Sequence, residues 1–447
     1  MDRLFLKTLL EWKSSPARKP LLLQGARQVG KTWILKTFGE QQFQHYLILD
    51  FARNPELAGF FDNNLQPKRI LTDLGVYLNR DIDLANTLLV FDEIQQCPKA
   101  LTSLKYFSEE LPEAYLCASG SLLGLGLSEQ NFPVGKIRRE WLRPMSFEEF
   151  LMALGESSLR QSLAEAAGRR SAISSPIHQK TFSLFKEYLI TGGMPEVVSA
   201  YIALRETRVA AFHAVRDLQK NLTESYLDDI AKHSGSIKAI HIAALFKNIP
   251  LQLARETTGI RKFLFKDVLS GRSSYDQLEG PIQWLDKAGL VHRIPICRAV
   301  KMPLAAHAEE NAFMLYLFDV GILGSMLRLD PGAIYQNEVG QFKGFLMENA
   351  VLNEMIFSGA EGLCTWRHNT AEIEFLMASG EAILPIEVKA GMNTKAKSLK
   401  IFREKFKPAR SLLFSGVGCH QEDEGLLHAP VYLAADVIRE IVMMKVG

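Results

Sequence analysis

The chain has 447 residues, of which 47% are hydrophobic and 23% are charged. This composition excludes a mostly disordered chain, a collagen-like chain and a coiled-coil rod. Lys and Arg number 52 against 50 Asp and Glu, which gives a formal net charge of +2. The overall charge therefore does not indicate a nucleic-acid partner, and any basic surface has to be local. Because a single core rarely exceeds about 250–300 residues, the length predicts two to four domains.

The first third of the chain predicts a parallel sheet. Short apolar segments at 20–24, 45–51, 87–91 and 115–118 are typical of buried strands, and helical stretches separate them. Continuous apolar strands alternating with helices favour a doubly wound α/β fold that is covered on both faces.

The pattern becomes helical from about Ser146, and strands return from about Asn311. A helix beginning after Ser274, followed by an apolar strand at 290–297, suggests the helix and wing of a winged-helix segment. The prediction is three domains, at 1–155, 156–310 and 311–447.

The five cysteines are scattered, with no CxxC pair. This usage predicts reduced thiols and a cytoplasmic protein rather than a disulfide framework or a zinc site. The first 15 residues mix charged with apolar side chains, unlike a signal peptide. No apolar run approaches about 18 residues, so no membrane helix is expected.

One segment matches the phosphate-binding pattern G-x-x-x-x-G-K-[ST] without a mismatch. It consists of Gly25, Ala26, Arg27, Gln28, Val29, Gly30, Lys31 and Thr32, and it lies between a predicted strand and a predicted helix. Backbone N–H groups of such a loop face a polyphosphate, and the helix N-terminus adds positive potential. We expect Lys31 to contact the β- and γ-phosphates of ATP and Thr32 to ligate Mg²⁺.

A second part of this site follows the third strand. Asp92 and Glu93 end the apolar segment LLVF, and acids at a strand end face a site or solvent. Asp92 is expected to hold the Mg²⁺ shell, and Glu93 to orient the attacking water as the catalytic residue beside Lys31.

Two further contributions to the nucleotide site are weaker. Ser119, at the end of the fourth strand, is either a sensor of the γ-phosphate or part of an ordinary polar turn. Lys136, Arg138 and Arg139 offer cations to the transferred phosphate, or they form a solvated basic loop. The sequence does not distinguish a cation acting on its own subunit from one acting on a neighbour.

Together, the segments GARQVGKT, LLVFDEIQQCPKA, ASGS and LRPMSFEEFL resemble the prokaryotic AAA-type putative ATPases. In that family the ATPase domain precedes a winged helix and a C-terminal domain of unknown function. Segments at 191–195, 222–226, 344–349 and 385–389 fit the later regions, so the resemblance spans nearly the whole chain. Lys136 departs from it, since the family usually has arginine there, and lysine is only a point charge.

Carboxylates gather in the C-terminal third. Segments 372–377 and 383–389 predict a hairpin with a turn at Ser379 and Gly380. If Ala378 pairs with Glu381, one face is apolar, and the other gathers Glu372, Glu374, Glu387 and Lys389. Because like charges across a strand pair repel, a bound cation is expected among them.

This arrangement resembles the restriction-endonuclease-like core, which has an acid on one strand and E-x-K on the next. The resemblance implies that Glu374 and Glu387 bind Mg²⁺ or Mn²⁺, with Glu348 as a helix acid. Lys389 would polarise the scissile phosphate, so Glu374, Glu387 and Lys389 are candidate catalytic residues of a nuclease. Glu374 departs from the usual Asp, so an inactive scaffold is the alternative.

The segment 394–410 carries seven basic residues against one acid. Lys395, Lys397, Lys400, Arg403 and Lys407 are expected to bind the DNA backbone, or they form a solvated helix face.

The sequence thus predicts an ATP-hydrolysing AAA-type protein whose nucleotide state controls a nuclease-like domain, and a homo-oligomer is a candidate assembly. One alternative is an ATP-controlled DNA-binding or signalling switch with an inactive nuclease fold. The other is a protein-remodelling ATPase, which the sequence disfavours because it has no convincing aromatic pore motif.

Overall fold

The computed structural model describes residues 2–120, 133, 135–233, 236–255, 262–269, 274–336, 338, 340, 343–368, 371–391, 396–418 and 421–443. The chain divides into two compact units. The amino-terminal unit consists of Arg3–Arg143 with Lys287–Gly289, and the carboxy-terminal unit consists mainly of Pro144–Asp286 and Leu290–Gly447.

The amino-terminal unit is built on a parallel sheet. Its strands are β1 (Leu21–Gln24), β2 (His45–Asp50), β3 (Thr87–Asp92), β4 (Tyr115–Ser119) and β5 (Arg138–Trp141), and its helices are α1 (Phe5–Ser14), α2 (Lys31–Gln42), α3 (Pro67–Leu78) and α4 (Pro98–Glu110). In the described residues the strand order is β2-β3-β4-β1-β5, and every pair is parallel. The four strands predicted from apolar segments are therefore confirmed.

Apolar side chains cover both faces of this sheet. Leu21 and Leu23 of β1 pack with helices α1 and α2, whereas Leu22 packs with α3 and α4. Successive strand residues point to opposite faces, so an unbroken apolar strand is stable only between two layers. This sandwich fixes the carboxyl ends of β1, β3 and β4 side by side.

The carboxy-terminal unit begins with helices. These are α5 (Phe147–Ala153), α6 (Ser157–Arg169), α7 (Ser175–Thr191), α8 (Pro195–Leu204), α9 (Arg208–His233), α10 (Ser236–Ala254) and α11 (Tyr275–Lys287). Strands β6 (Val291–Cys297) and β7 (Ala308–Leu317) follow, and then helices α12 (Val320–Met326), α13 (Pro331–Gln336) and α14 (Lys343–Phe357).

The remaining elements complete a mixed sheet. They are β8 (Cys364–His368), β9 (Ala371–Ser379), β10 (Ala382–Lys389), α15 (Lys397–Phe406), β11 (Ser411–Ser415), β12 (Gln421–Asp423), β13 (Leu426–Pro430) and α16 (Ala434–Met443). In the described part of the chain, eight strands follow the order β12-β13-β11-β10-β9-β8-β6-β7.

The expected wing strand belongs to this sheet. Strand β6 pairs antiparallel with β7 and parallel with β8. The expected boundary at residue 310 falls inside β7, so the segments 156–310 and 311–447 share one sheet. Sequence periodicity identified the strand, but it carries no information about a partner about 70 residues away.

The predicted hairpin forms, but with another register. Ala378 pairs with Ile383 rather than with Glu381, and Gly380 occupies the turn with a φ of 60°. A shift of two residues leaves each side chain on its expected face. The register between β8 and β9 is irregular. Ile373 packs in a hydrophobic cluster that includes Leu376 but not Phe375, although Ile373 and Phe375 were expected on the same apolar face. The prediction of a single apolar face was therefore wrong at Ile373.

Candidate functional site

The phosphate-binding loop lies at the carboxyl end of β1. Gly25 adopts a φ of 151°, and a β-carbon added there would overlap the carbonyl oxygen of Leu142. Gly30, with a φ of 96°, immediately precedes the first turn of α2. Ala26 and Val29 are buried, whereas Arg27 and Gln28 are exposed. Glycine at both ends allows the backbone to curl between the strand and the helix.

Lys31 is folded over this loop. Its Nζ donates hydrogen bonds of 3.0 Å to the carbonyl oxygens of Gly25 and Ala26, and the residue is only 7% exposed. Burial lowers the pKa of Lys31 to about 8, although the charges of Glu93 and Asp92 favour its protonated form. A buried ammonium held by carbonyl oxygens is ready to exchange these contacts for phosphate oxygens.

Asp92 connects three elements of the site. Thr32 Oγ1, on the first turn of α2, donates a hydrogen bond of 2.7 Å to Asp92 Oδ2. The hydroxyl of Ser119, at the end of β4, donates to Asp92 Oδ1. Asp92 is 2% exposed and Ser119 is fully buried. Thr32, Asp92 and Ser119 were each predicted from the sequence as parts of the nucleotide site. The strand order β3-β4-β1 brings them together.

Glu93 follows Asp92 with the left-handed φ of 49°, which is uncommon for a residue other than glycine. Gln95 Nε2 donates a hydrogen bond to Glu93 Oε2. Such a conformation persists only where the surrounding structure holds it, and it is frequent at functional sites. The side chain is partly exposed.

The donor set at Thr32 and Asp92 fits Mg²⁺. A hydroxyl oxygen and a carboxylate oxygen converge at 2.7 Å, and Mg²⁺ is bound by oxygen ligands together with waters and substrate phosphates. Because only two protein oxygens are offered, a phosphate would have to complete the shell.

Arg3 was not recognised from the sequence. Its Nη1 donates to the carbonyl oxygen of Val29 at 3.1 Å, and its Nη2 donates to that of Arg143 at 2.6 Å. Arg3 is 4% exposed, so it braces the phosphate-binding loop from outside the motif. No local pattern marks an isolated arginine near the N-terminus, and only the fold reveals its role.

The expected cations lie elsewhere in the unit. Arg138 and Arg139 pair with Leu21 and Leu22 at the amino end of the sheet, whereas the phosphate-binding loop leaves its carboxyl end. Arg138 Nε lies 2.7 Å from Glu140 Oε1, and Lys136 Nζ lies 2.9 Å from Glu109 Oε1. The structure does not bring these three residues to Lys31 of the same unit.

In the carboxy-terminal unit, Lys389 stands between two carboxylates. Its Nζ lies 2.5 Å from Glu387 Oε1 and 3.9 Å from Glu374 Oε1. Glu387 Oε2 accepts a hydrogen bond from Leu399 N, at the start of α15, and Glu374 Oε2 accepts one from Val388 N. Glu387 is fully buried and Glu374 is 8% exposed.

Burial and neighbouring charges shift the pKa values of the ionisable groups in this cluster. Burial raises the pKa of Glu374 well above its usual value, Lys389 opposes that rise, and the charges of Glu348 and Glu387 add to it. Burial lowers the pKa of Lys389, but the neighbouring carboxylates more than compensate, so it is raised overall. The raised pKa favours the uncharged form of Glu374, and Lys389 adds a positive charge, so both reduce the repulsion that led us to expect a bound cation.

Glu372 belongs to a separate pair, with Arg367 Nη2 at 2.6 Å from its Oε1. In the described residues no group of three or more His, Cys, Asp or Glu side chains is arranged to hold a metal ion. This finding does not support the predicted metal site at Glu348, Glu374 and Glu387.

Part of the basic segment, Lys397–Phe406, forms α15, on which Leu399 and Phe402 are buried while Lys397 and Lys400 are exposed. Lys400, Arg403 and Lys407 line a groove of about 580 Å³. Arg403 Nη2 also donates to the carbonyl oxygen of Glu424 at 2.6 Å. Lys395 lies outside the described residues.

Known families match three parts of the chain. Residues 17–151 match a family described as an AAA domain. Residues 182–333 and 343–427 match two families described as domains of unknown function, DUF8612 and DUF4143. The match at residues 17–151 supports the prediction of an AAA-type ATPase for this part of the chain.

Two solved structures are similar at low identity. The Walker-type ATPase PABY2304 of Pyrococcus abyssi is 16% identical, with a TM-score of 0.46, over 73% of this chain and 95% of that chain. The Drosophila ORC bound to DNA is 12% identical, with a TM-score of 0.25, over 72% of this chain and 94% of that chain. No curated protein matches the sequence. None of the helices in the described ranges is long and apolar enough to span a membrane.

Proposed function

We propose that the amino-terminal unit binds ATP with Mg²⁺ and hydrolyses it. The observation that carries this proposal is the 2.7 Å hydrogen bond from Thr32 Oγ1 to Asp92 Oδ2. It joins the phosphate-binding loop to the acidic strand end, which are 60 residues apart in sequence. Mg²⁺, when bound, would neutralise charge on the phosphate oxygens.

Each side chain has a separate task in this proposal. Lys31 leaves the loop carbonyls and contacts the phosphates. Glu93 orients the attacking water and polarises it. Ser119 senses whether the γ-phosphate is present, and its hydrogen bond couples it to Asp92.

The direct test compares ATP binding and phosphate release of the full chain with those of Lys31→Ala. The variant should bind no ATP by calorimetry and should release no phosphate. Lys36→Ala is the matched control, because Lys36 lies on the same helix and its side chain is 54% exposed. Unchanged ATP affinity of Lys31→Ala would refute the assignment of the phosphate-binding loop.

We also propose that the nucleotide state controls nucleic-acid binding by the carboxy-terminal unit. The supporting observation is the groove along α15, where Lys400, Arg403 and Lys407 lie together. Cations in a groove attract a phosphate backbone, with strong dependence on salt. The Lys389–Glu387 ion pair favours the alternative in which the nuclease-like fold is inactive, so that binding and signalling replace cleavage.

This second proposal is tested with labelled single- and double-stranded DNA and with RNA, with and without ATP. The double variant Lys400→Ala, Lys407→Ala should weaken binding and flatten its salt dependence. A cleavage assay with Mg²⁺ or Mn²⁺ should show no products if the site is inactive. Equal affinity of wild type and variant at low salt would refute the role of α15.

Assembly into a homo-oligomer remains part of the proposal. Lys136, Arg138 and Arg139 lie at the opposite sheet end from Lys31, so they could serve a nucleotide only in a neighbouring copy. Mass measurement with and without ATP tests whether copies associate. A monomer under both conditions would exclude such a role.

A further inference from the structure

An exposed tryptophan lies beside the phosphate-binding loop. Trp33 is the third residue of α2, and it is 44% exposed. The other large apolar residues of this helix, Ile34, Leu35 and Phe38, are fully buried. An indole left in water forgoes the favourable free energy of burial, so a ring that covered it, next to Lys31 and Thr32, would gain binding free energy.

The chain also limits where a bound nucleotide can extend. Its phosphates are held by the loop and by the first turn of α2, where Lys31 and Thr32 lie. Lys31 faces the loop on the buried side, while Trp33 is two residues further along the helix and about 200° around its axis. The core side is filled by Leu21, Leu23 and Val29, which leaves the solvent side of α2 open to the sugar and base.

We infer that Trp33 stacks on the base of the bound nucleotide. This inference rests on the proposed function. It identifies Trp33 as the residue through which the base contributes to the affinity for the nucleotide. An indole offers its π face to any base, since every base has one. The site therefore recognises the base through ring overlap, in addition to the contacts that Lys31 and Thr32 make with the phosphates.

Two ligands, one with a base and one without, separate the contribution of the base to the affinity from that of the phosphates. Calorimetry of the full chain measures the affinity for ATP with Mg²⁺ and for inorganic tripolyphosphate with Mg²⁺. Trp33→Leu removes the π face but keeps an apolar side chain of good helix propensity. Trp33→Phe retains a smaller π face. Tyr77→Leu is the control, because Tyr77 is an aromatic residue of the same unit that is 58% exposed.

Trp33→Leu should bind ATP about 5- to 100-fold more weakly, the effect expected of one stacked base. Its affinity for tripolyphosphate should equal that of wild type. Trp33→Phe should recover most of the ATP affinity, and Tyr77→Leu should behave as wild type. ATP should also quench the tryptophan fluorescence of wild type, whereas tripolyphosphate should not, and the quenching should disappear in Trp33→Phe.

Two results would overturn the stacking. One is an unchanged ATP affinity of Trp33→Leu while wild type binds both ligands. The other is an equal loss of affinity for ATP and for tripolyphosphate, which would show a disturbed loop. If wild type binds neither ligand, the proposed function itself fails, and the inference about Trp33 fails with it.

Discussion

Lys389 Nζ lies 2.5 Å from Glu387 Oε1, and the two residues are two positions apart on the same face of β10. Alternate residues of a strand point to the same side, so the strand itself presents the ammonium to the carboxylate. Glu387 is fully buried, and Lys389 therefore supplies the positive charge that the sequence analysis assigned to a metal ion.

Lys389→Met should destabilise the protein by about 3–5 kcal/mol, because it leaves a buried carboxylate without its partner. The double variant Lys389→Met, Glu387→Gln should regain much of that loss, since neither charge is then buried. Urea denaturation of wild type and both variants measures the effect. Equal stability of the single and double variants would show that the pair is not coupled.

Metal binding should compete with Lys389. Without nucleotide, Mn²⁺ should raise the melting temperature of Lys389→Ala more than that of wild type, because the vacated space lies between Glu374 and Glu387. The triple variant that also carries Glu374→Ala and Glu387→Ala should lose this response. An equally large rise in the melting temperature of wild type would support the metal site that was predicted from the sequence.

Glu93→Gln should bind ATP normally but hydrolyse it about 10²- to 10⁴-fold more slowly, because the amide cannot accept a proton from water. The shape and the hydrogen bond with Gln95 can both be retained. Single-turnover phosphate release measures the rate, with calorimetry as the binding control. Turnover like that of wild type would place the general base at another residue.

Gly25→Ala should abolish ATP binding and lower the free energy of unfolding by about 1–3 kcal/mol. The added β-carbon would overlap the carbonyl oxygen of Leu142 at a φ that alanine rarely adopts. Gly59→Ala is the matched control, because no heavy atom lies within 4 Å of its added carbon. Melting curves and ATP titrations of both variants check this prediction, and intact binding by Gly25→Ala would contradict the strained geometry.

Glu354 should make stability depend on pH. It is 2% exposed, and its Oε1 accepts hydrogen bonds from Phe147 N at 2.9 Å and from the Tyr188 hydroxyl at 3.1 Å. Burial raises its pKa from 4.5 to about 8, against these hydrogen bonds, and the charges of Glu148 and Asp436 add to the rise. Between pH 4.5 and 8 the folded chain therefore holds the proton more tightly than the unfolded chain.

The free energy of unfolding should consequently fall as the pH rises through that window, by at most about 1.4 kcal/mol per pH unit from this group. Glu354→Gln removes the titration. The free energy of unfolding of this variant minus that of wild type should therefore increase from pH 5 to pH 8. Urea denaturation at several pH values measures the difference. A constant difference would show that Glu354 does not titrate in this range.

Most residues of the proposed nucleotide site could be predicted from the sequence, because short segments of the chain specify them. Gly25, Gly30, Lys31 and Thr32 lie in one loop, and backbone geometry alone requires glycine at its two ends. Asp92 and Glu93 end an apolar strand, and acids at such a position face a site or solvent because burying a charge without a partner is costly. Parallel strands between two helical layers then bring both segments to one sheet edge.

The tertiary structure decided the features that depend on distant residues. The separation of Arg138 from Lys31 and the sheet that joins β6 to β8 depend on strand order, and the bracing of Val29 by Arg3 depends on a contact between residues that are 26 positions apart. In the hairpin, pairing displaced by two residues keeps each side chain on the same face, so hydrophobic patterning alone could not choose the register. Strand alternation already placed Glu387 and Lys389 on one face, but the complete burial of Glu387 and its hydrogen bond from Leu399 N depend on the packing of α15 and appear only in the folded chain.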